Sequence, residues 1–348
     1  METSDDIPVR LPPGHTTLTV KLINPVTFGP SILNRFMAPP VPGLETFEAK
    51  LVWDLGIRSD YQNYSPKIAE YIPTTKYNIR LKGDVADTIR DGGIGLDQIE
   101  AVIWSHWHWD HIGDPSTFPS STDLIVGRGF KEAMLPGAPA NPDSPLQEAD
   151  WKGRNLREID FEGAGSLRIG KFPAVDFFGD GSFYLLDSPG HAIGHLCGIV
   201  RTTVDPDTFI LLGGDVCHYS GLMRPSPHMP IPDSITPNPI NPQTSTSLCP
   251  GHAFEELQKS RGREPTDTLF TMTFGHDIPL ASNTVKWLQE LDCNDDVFVI
   301  VAHDFHVENV VDHFPHSLNS WKEKGWGKQT RWAWLQELKP YFDSKGVS

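Results

Sequence analysis

Residues 105–114 read Ser-His-Trp-His-Trp-Asp-His-Ile-Gly-Asp (SHWHWDHIGD), directly after the short apolar run EAVIW at 100–104. The run predicts a buried strand, and the ten residues after it predict a metal-binding turn. His106 and His108 are two apart, so in an extended turn both imidazoles point to one side and can grip one ion. Asp110 and His111 follow at the start of the next turn and can face a second position. Imidazole and carboxylate without thiolate suit zinc and tolerate iron, cobalt or manganese.

The same grammar recurs downstream. A run at 182–188 leads into SPGH with His191, one at 208–212 into GGDVCH with Asp215, and one at 296–301 into Ala302-His303-Asp304. A lone HxHxDH arises by chance; four strand-end turns bearing His or Asp predict one site assembled on a rigid scaffold. His276 in FGHD resembles these turns but precedes a helix, where Asp277 reads as its cap. His195, four after His191, is expected to be structural or a partner behind a ligand, and Cys217 a small packed residue. His228, His252, His306, His313 and His316 are read as ordinary loop or surface residues.

Outward from these turns, strands are expected at 16–23, 47–54, 123–126, 166–173 and 196–203. Helices are expected at 84–92, 128–134, 252–261, 279–291 and 330–340. Residues 24–43, 135–147 and the proline-rich 223–250 read as loops. At 348 residues the chain suits one large domain with insertions, here 223–262 and a C-terminal helical extension over 318–348. Trp321, Trp326, Trp332 and Trp334 are expected in the core or in a homodimer contact. Ile32, Leu33, Phe36 and Met37 suggest an apolar lip, and 223–250 a lid over a pocket for a small or flat ring, with a simple surface wrap as the alternative.

A net charge of −16 repels nucleic acid and anionic lipid, so neither is an expected partner. No run approaches the roughly 18 apolar residues of a membrane span, and Met1–Arg10 has no basic region leading into an apolar stretch. The four cysteines are scattered without a CxxC pair. A cytoplasmic protein with reduced thiols, acting on a small molecule, is expected.

SHWHWDH, SPGH, GGD and the strand-end His303, with the early Asp54-Leu55-Gly56, resemble the metallo-β-lactamase superfamily over roughly 16–305. The resemblance implies an α/β fold, an αββα sandwich with loop insertions forming a lid, and two zinc ions at one edge. It implies that His106, His108 and His191 hold one metal, that Asp110, His111 and His303 hold the other, and that Asp215 bridges them. Asp215 stands where true class B β-lactamases carry Cys, and His108 where flavodiiron proteins carry Glu. The similarity is greatest to the lactonase-like group, which opens acyl-homoserine lactones. That group places Tyr three residues after the bridging Asp; here the position is His218, with Tyr219 next.

The resemblance further implies a hydroxide bridging two metals that attacks a carbonyl carbon, with Asp110 passing its proton onward and His218 or Tyr219 donating to the oxyanion. A cyclic ester is the first expectation. A lactam, a cyclic carbamate or an acyl thioester is the competitor, and a mononuclear iron dioxygenase or a non-catalytic metal protein the remote ones.

Overall fold

The computed structural model describes residues 9–23, 26–28, 40–43, 50–81, 83–163, 165–236, 238–240 and 249–344. Two six-stranded sheets lie face to face. The first has the order β1 (Thr19–Leu22), β2 (Pro40–Gly43), β3 (Lys50–Trp53), β4 (Ile99–Ile103), β5 (Asp123–Val126) and β6 (Leu156–Glu158). In the second, β12 (Val297–Ile300) sits at one edge. Next to it run β11 (Thr208–Leu212), β10 (Leu196–Thr203), β9 (Phe183–Asp187), β8 (Phe172–Asp176) and β7 (Ser166–Ile169).

Every second residue of a strand faces the same way, and here both faces are apolar. Leu51, Trp53, Ala101, Ile103 and Ile125 of the first sheet meet Phe183, Leu185, Ile210, Leu212, Phe298 and Ile300 of the second in one buried core. Their neighbours point outward. Val52, Val102, Leu124 and Val126 pack under α1 (Val85–Asp91) and α2 (Trp109–Ile112). Tyr184, Leu186, Phe209, Leu211 and Val299 pack under α3 (Ile278–Asp292) through Val285, Leu288 and Leu291. Helices therefore cover both outer faces, which gives the expected αββα layering.

Strand direction decides where a site can form. β3, β4 and β5 run parallel. β9 and β11 each pair antiparallel with β10, so they run the same way as each other, and β12 is parallel to β11. The carboxyl ends of β9, β11 and β12 thus share one edge of the second sheet. Those of β3 and β4 share one edge of the first.

Several expected elements differ. The single strand at 166–173 is a hairpin: Ile169 pairs with Phe172 across Gly170 and Lys171. Within the expected 24–43 loop, Pro40–Gly43 pairs antiparallel with β1 and Val26–Phe28 with Ile79–Leu81. The expected lip residues Ile32, Leu33, Phe36 and Met37 lie outside the described residues. The helix expected over 330–340 is instead three short segments, Trp326–Thr330, Ala333–Leu338 and Lys339–Ser344. Pro340 stands second in the last of them, where a missing N–H costs no internal bond.

The described part of 223–262 builds a small core of its own. Met229, Ile231, Ile235, Phe254 and Leu257 bury against Trp332, Trp334, Leu335 and Phe342. Trp321 and Trp326 belong to the core between the sheets.

Candidate metal centre

Each ligand is delivered by a strand that ends at the shared edge. β4 runs into Ser105 and His106, β9 into Ser188 and His191, β11 into Asp215, and β12 into His303. Two of the turns require glycine. A Cβ on Gly214 (φ 50) would sit 2.8 Å from the Ser105 Cβ, and one on Gly190 (φ 123) 2.2 Å from the Ala281 backbone nitrogen. Asp54 (φ 55) and His303 (φ 68) are non-glycine residues in the left-handed region. Such strain persists where surrounding contacts over-determine a residue, commonly at a functional site.

The side chains form two groups that share Asp215. In the first, His106, His108, His191 and Asp215 place one ligand atom each within 4.8 Å of the others. His106 Nε2 lies 2.9 Å from His108 Nδ1 and 3.2 Å from His191 Nε2, and the last pair is 3.0 Å apart. Ligands about 2.0–2.1 Å from a tetrahedral ion lie roughly 3.3 Å from one another, so three inward-facing imidazole nitrogens at this spacing fit a cation. In the second group, Asp110, His111, Asp215 and His303 meet the same 4.8 Å limit. Asp215 Oδ1 is 3.2 Å from His111 Nε2 and 3.0 Å from His303 Nε2, while Oδ2 is 3.5 Å from His191 Nε2. One carboxylate thus turns an oxygen to each group. Both oxygens of Asp110 are buried without a hydrogen-bond partner, a cost that a divalent cation would remove.

Behind the ligands stands a set of fixed hydrogen bonds. Asp54 accepts from the Ser105 backbone N–H (2.5 Å), from Ser105 Oγ (2.7 Å) and from His111 Nδ1 (2.8 Å). His106 Nδ1 lies 3.0 Å from the same Ser105 oxygen. Asp54 therefore turns the Nε2 of both imidazoles inward, the usual carboxylate support of a metal-ligating histidine. On the other sheet, the Asp215 backbone N–H donates to His195 Nε2 (3.0 Å), and His195 Nδ1 meets Ser188 Oγ (2.7 Å). His195 fixes the turn that carries Asp215 and ligates nothing. Ser220 Oγ donates to Asp304 Oδ2 (2.9 Å), tying the Asp215 turn to the His303 turn.

The charges suit cation binding. Burial keeps His106 and His191 well below the usual imidazole range, and lowers His108 to about 3 and His303 to about 4. All four are neutral bases near pH 7. Burial also opposes a charge on His111, but Asp215, Asp54 and Asp110 outweigh it and raise His111 well above its ordinary value. Burial would raise Asp215, yet His111, His303 and His218 hold its carboxyl well below the carboxylate range. Burial raises Asp110 to about 7. A proton held on His111 among three carboxylates occupies the place a metal would take.

His106, His108, Asp110, His111, His191, Asp215 and His303 are thus brought together. His218 joins them, its Nε2 3.2 Å from Asp215 Oδ2 and its ring stacked on His303. Tyr219 does not. Its hydroxyl donates to the Trp334 carbonyl (3.1 Å) and its ring packs on Trp334 and Phe270, because alternation past His218 turns it to the opposite side. Cys217 is packed in the apolar layer under α3, where burial pushes its thiol up. Asp277 caps α3 through the Leu280 N–H. His306 is no surface residue: it is buried, with Glu337 on Nε2 and the Gln336 amide on Nδ1. Sequence reasoning left Ser105, Ser188, Phe274 and Asp304 without a role. Ser105 and Asp304 adjoin ligands in sequence, but nothing marks Phe274 before the chain folds.

A His and Asp metal centre at the open edge of an αββα sandwich defines a class of metal-dependent hydrolases. The chain belongs to the metallo-β-lactamase superfamily, whose family model matches residues 52–227. It is 41% identical to "Gamma-lactamase FDB1" of Fusarium pseudograminearum, with 96% of this chain and 85% of that one aligned. It is 39% identical to "Metallo-hydrolase mfmC" of Annulohypoxylon moriforme, over 95% of this chain and 90% of the relative. Over 59% of this chain and 84% of the relative it is 51% identical to "Gamma-lactamase MBL2" of Gibberella moniliformis. A solved quorum-quenching N-acyl homoserine lactone hydrolase superposes with a TM-score of 0.51 at 18% identity, covering 87% of this chain and 99% of that one. At that identity the likeness shows the fold alone.

Proposed function

We propose that the protein is a dinuclear zinc hydrolase that opens a small cyclic amide, with the cyclic ester as second reading. The observation that carries the reaction type is the pair of buried ligand groups sharing Asp215, with Asp110 in the second of them. The similarity to two relatives named gamma-lactamase, one of them over 96% of this chain and the other over 59%, supports the amide, and the same centre suits a lactone.

His106, His108, His191 and Asp215 would hold one ion, and Asp110, His111, Asp215 and His303 the other. When bound, two such ions supply an acidified water as nucleophile and polarise the scissile carbonyl. The chain's own groups handle the protons. Asp110, whose two oxygens are buried without a hydrogen-bond partner, would hold the second ion with one oxygen and is placed to accept the proton of the attacking water with the other. An amide leaves more readily once its nitrogen is protonated, and His218, within 3.2 Å of Asp215, is placed to carry that proton or to donate a hydrogen bond to the carbonyl oxygen. Tyr219 takes no part, since its hydroxyl is held by the Trp334 carbonyl. Free cysteines at Cys197, Cys217 and Cys293 agree with a reducing cytoplasm as the place of action.

Ring-opened product formed from matched γ-lactams and γ-lactones by the zinc-loaded protein, quantified by chromatography, tests the reading, with Asp215→Ala as control. Turnover of the lactam that falls about 10²–10⁴-fold in Asp110→Asn is expected. Faster turnover of the lactone would move the ester to first place. Inertness toward both rings in a protein carrying two zinc ions would overturn the hydrolase reading.

A further inference from the structure

We propose that Phe274 is the specificity-determining residue of this centre: its ring is the wall against which the flat, apolar part of a substrate lies. The inference rests on the hydrolase reading above for the substrate but not for the contact itself.

Phe274 is a large apolar side chain with 47% of its surface exposed. A single exposed apolar residue is ordinary on a protein surface. This one stands on the metal centre: its ring centroid is 6.0 Å from that of His108, 5.8 Å from His191 and 5.7 Å from His218. Its inner part closes over the imidazoles, and its outer part remains open beside them. Any molecule that brings a carbonyl to the nitrogens of His106, His108 and His191 from that side meets the ring.

The ring is also held in place. The strap that bears it is pinned at one end by the Phe270 N–H on the Gly221 carbonyl (2.9 Å). At the other end, His276 N–H binds the His191 carbonyl and Asp277 N–H the Gly190 carbonyl, both at 2.8 Å. The strap therefore hangs from the turn that carries His191. An aromatic wall fixed in this way favours planar ligands by edge or offset stacking and discriminates little among aliphatic ones.

The test uses two metal-chelating probes that share a hydroxamate and differ in their arm: benzohydroxamate and acetohydroxamate. Their dissociation constants for zinc-loaded protein are measured by calorimetry for wild type, Phe274→Ala and Phe274→Leu. Wild type is expected to bind benzohydroxamate about tenfold more tightly relative to acetohydroxamate than Phe274→Ala does, with acetohydroxamate affinity unchanged and Phe274→Leu between the two. An unchanged ratio, an equal weakening of both probes, or no binding of either overturns the proposal. Inertness of wild type toward lactams and lactones, with the Phe274-dependent ratio intact, would sink the hydrolase reading and leave the aromatic wall standing.

Discussion

At the scale of single residues, the centre depends on a carboxylate that ligates nothing. Asp54 accepts from His111 Nδ1 and from Ser105 Oγ, which in turn meets His106 Nδ1. One side chain therefore sets the orientation of a ligand in each group. Asn at this position keeps an acceptor but loses the charge that supports the imidazole. Asp54→Asn is expected to weaken zinc binding about 10–100-fold, read by competition with a chromophoric chelator. Undiminished affinity would mean that strand geometry alone orients His106 and His111. The ligands themselves were legible in the sequence because each turn that carries them directly follows an apolar run, with His108, Asp110 and His111 continuing the turn that His106 opens. Phe274 was not, since its position comes from the strap's hydrogen bonds to Gly190 and His191, far away in the chain.

At the scale of elements, strands buried on both faces announce themselves. Phe209, Ile210, Leu211 and Leu212 are apolar in succession because alternate residues serve two different cores. Elements without such a pattern were lost. Leu156–Glu158 has a single apolar residue, and Pro40–Gly43 reads as a loop by composition. The hairpin at Gly170 reads as one strand because Leu167, Ile169 and Phe172 keep apolar residues on both sides of the turn. The short helical turn Glu148–Asp150 was missed as well, and it holds an unusual carboxyl. Asp150 is buried and accepts from the Gln147 N–H at its own start. Burial raises its pKa to about 7 despite Arg58 and Arg154. Between about pH 4, where the unfolded carboxyl ionises, and pH 7, the folded state alone retains this proton. Its contribution to stability is therefore full at low pH and is lost as pH rises through that window. Asp150→Asn keeps the acceptor without the charge. It is expected to flatten the slope and to exceed wild type by about 1–3 kcal/mol at pH 8 in urea unfolding. A variant less stable than wild type at pH 8 would show that the ionised form has a partner after all.

At the scale of the whole molecule, the centre is a seam. His106, His108, Asp110 and His111 follow β4 of the first sheet, while His191, Asp215 and His303 follow strands of the second. Each ligand group takes side chains from both sheets. At the same edge the Leu196 N–H donates to the Ser105 carbonyl (2.7 Å), the backbone counterpart of that link. A cation bound there would pin one sheet to the other, so its removal should be felt by the global fold and not by the loops alone. Zinc at about 1,000 times its dissociation constant adds about 4 kcal/mol, and chelation is expected to lower the melting temperature by roughly 5 °C. Asp215→Ala, which takes a ligand from both groups, should melt alike with and without zinc. The proton balance offers an independent reading. His111 is raised well above the ordinary imidazole value by its three carboxylates, so it is charged near pH 7 in the metal-free protein and must release its proton to ligate. Zinc loading at pH 7 should therefore eject at least one proton, with a further share from Asp110, which burial raises to about 7, and affinity should fall about tenfold or more per pH unit of acidification. Loading without proton release, or affinity independent of pH between 6 and 8, would show that His111 stays protonated and that zinc occupies only the group built by His106, His108 and His191.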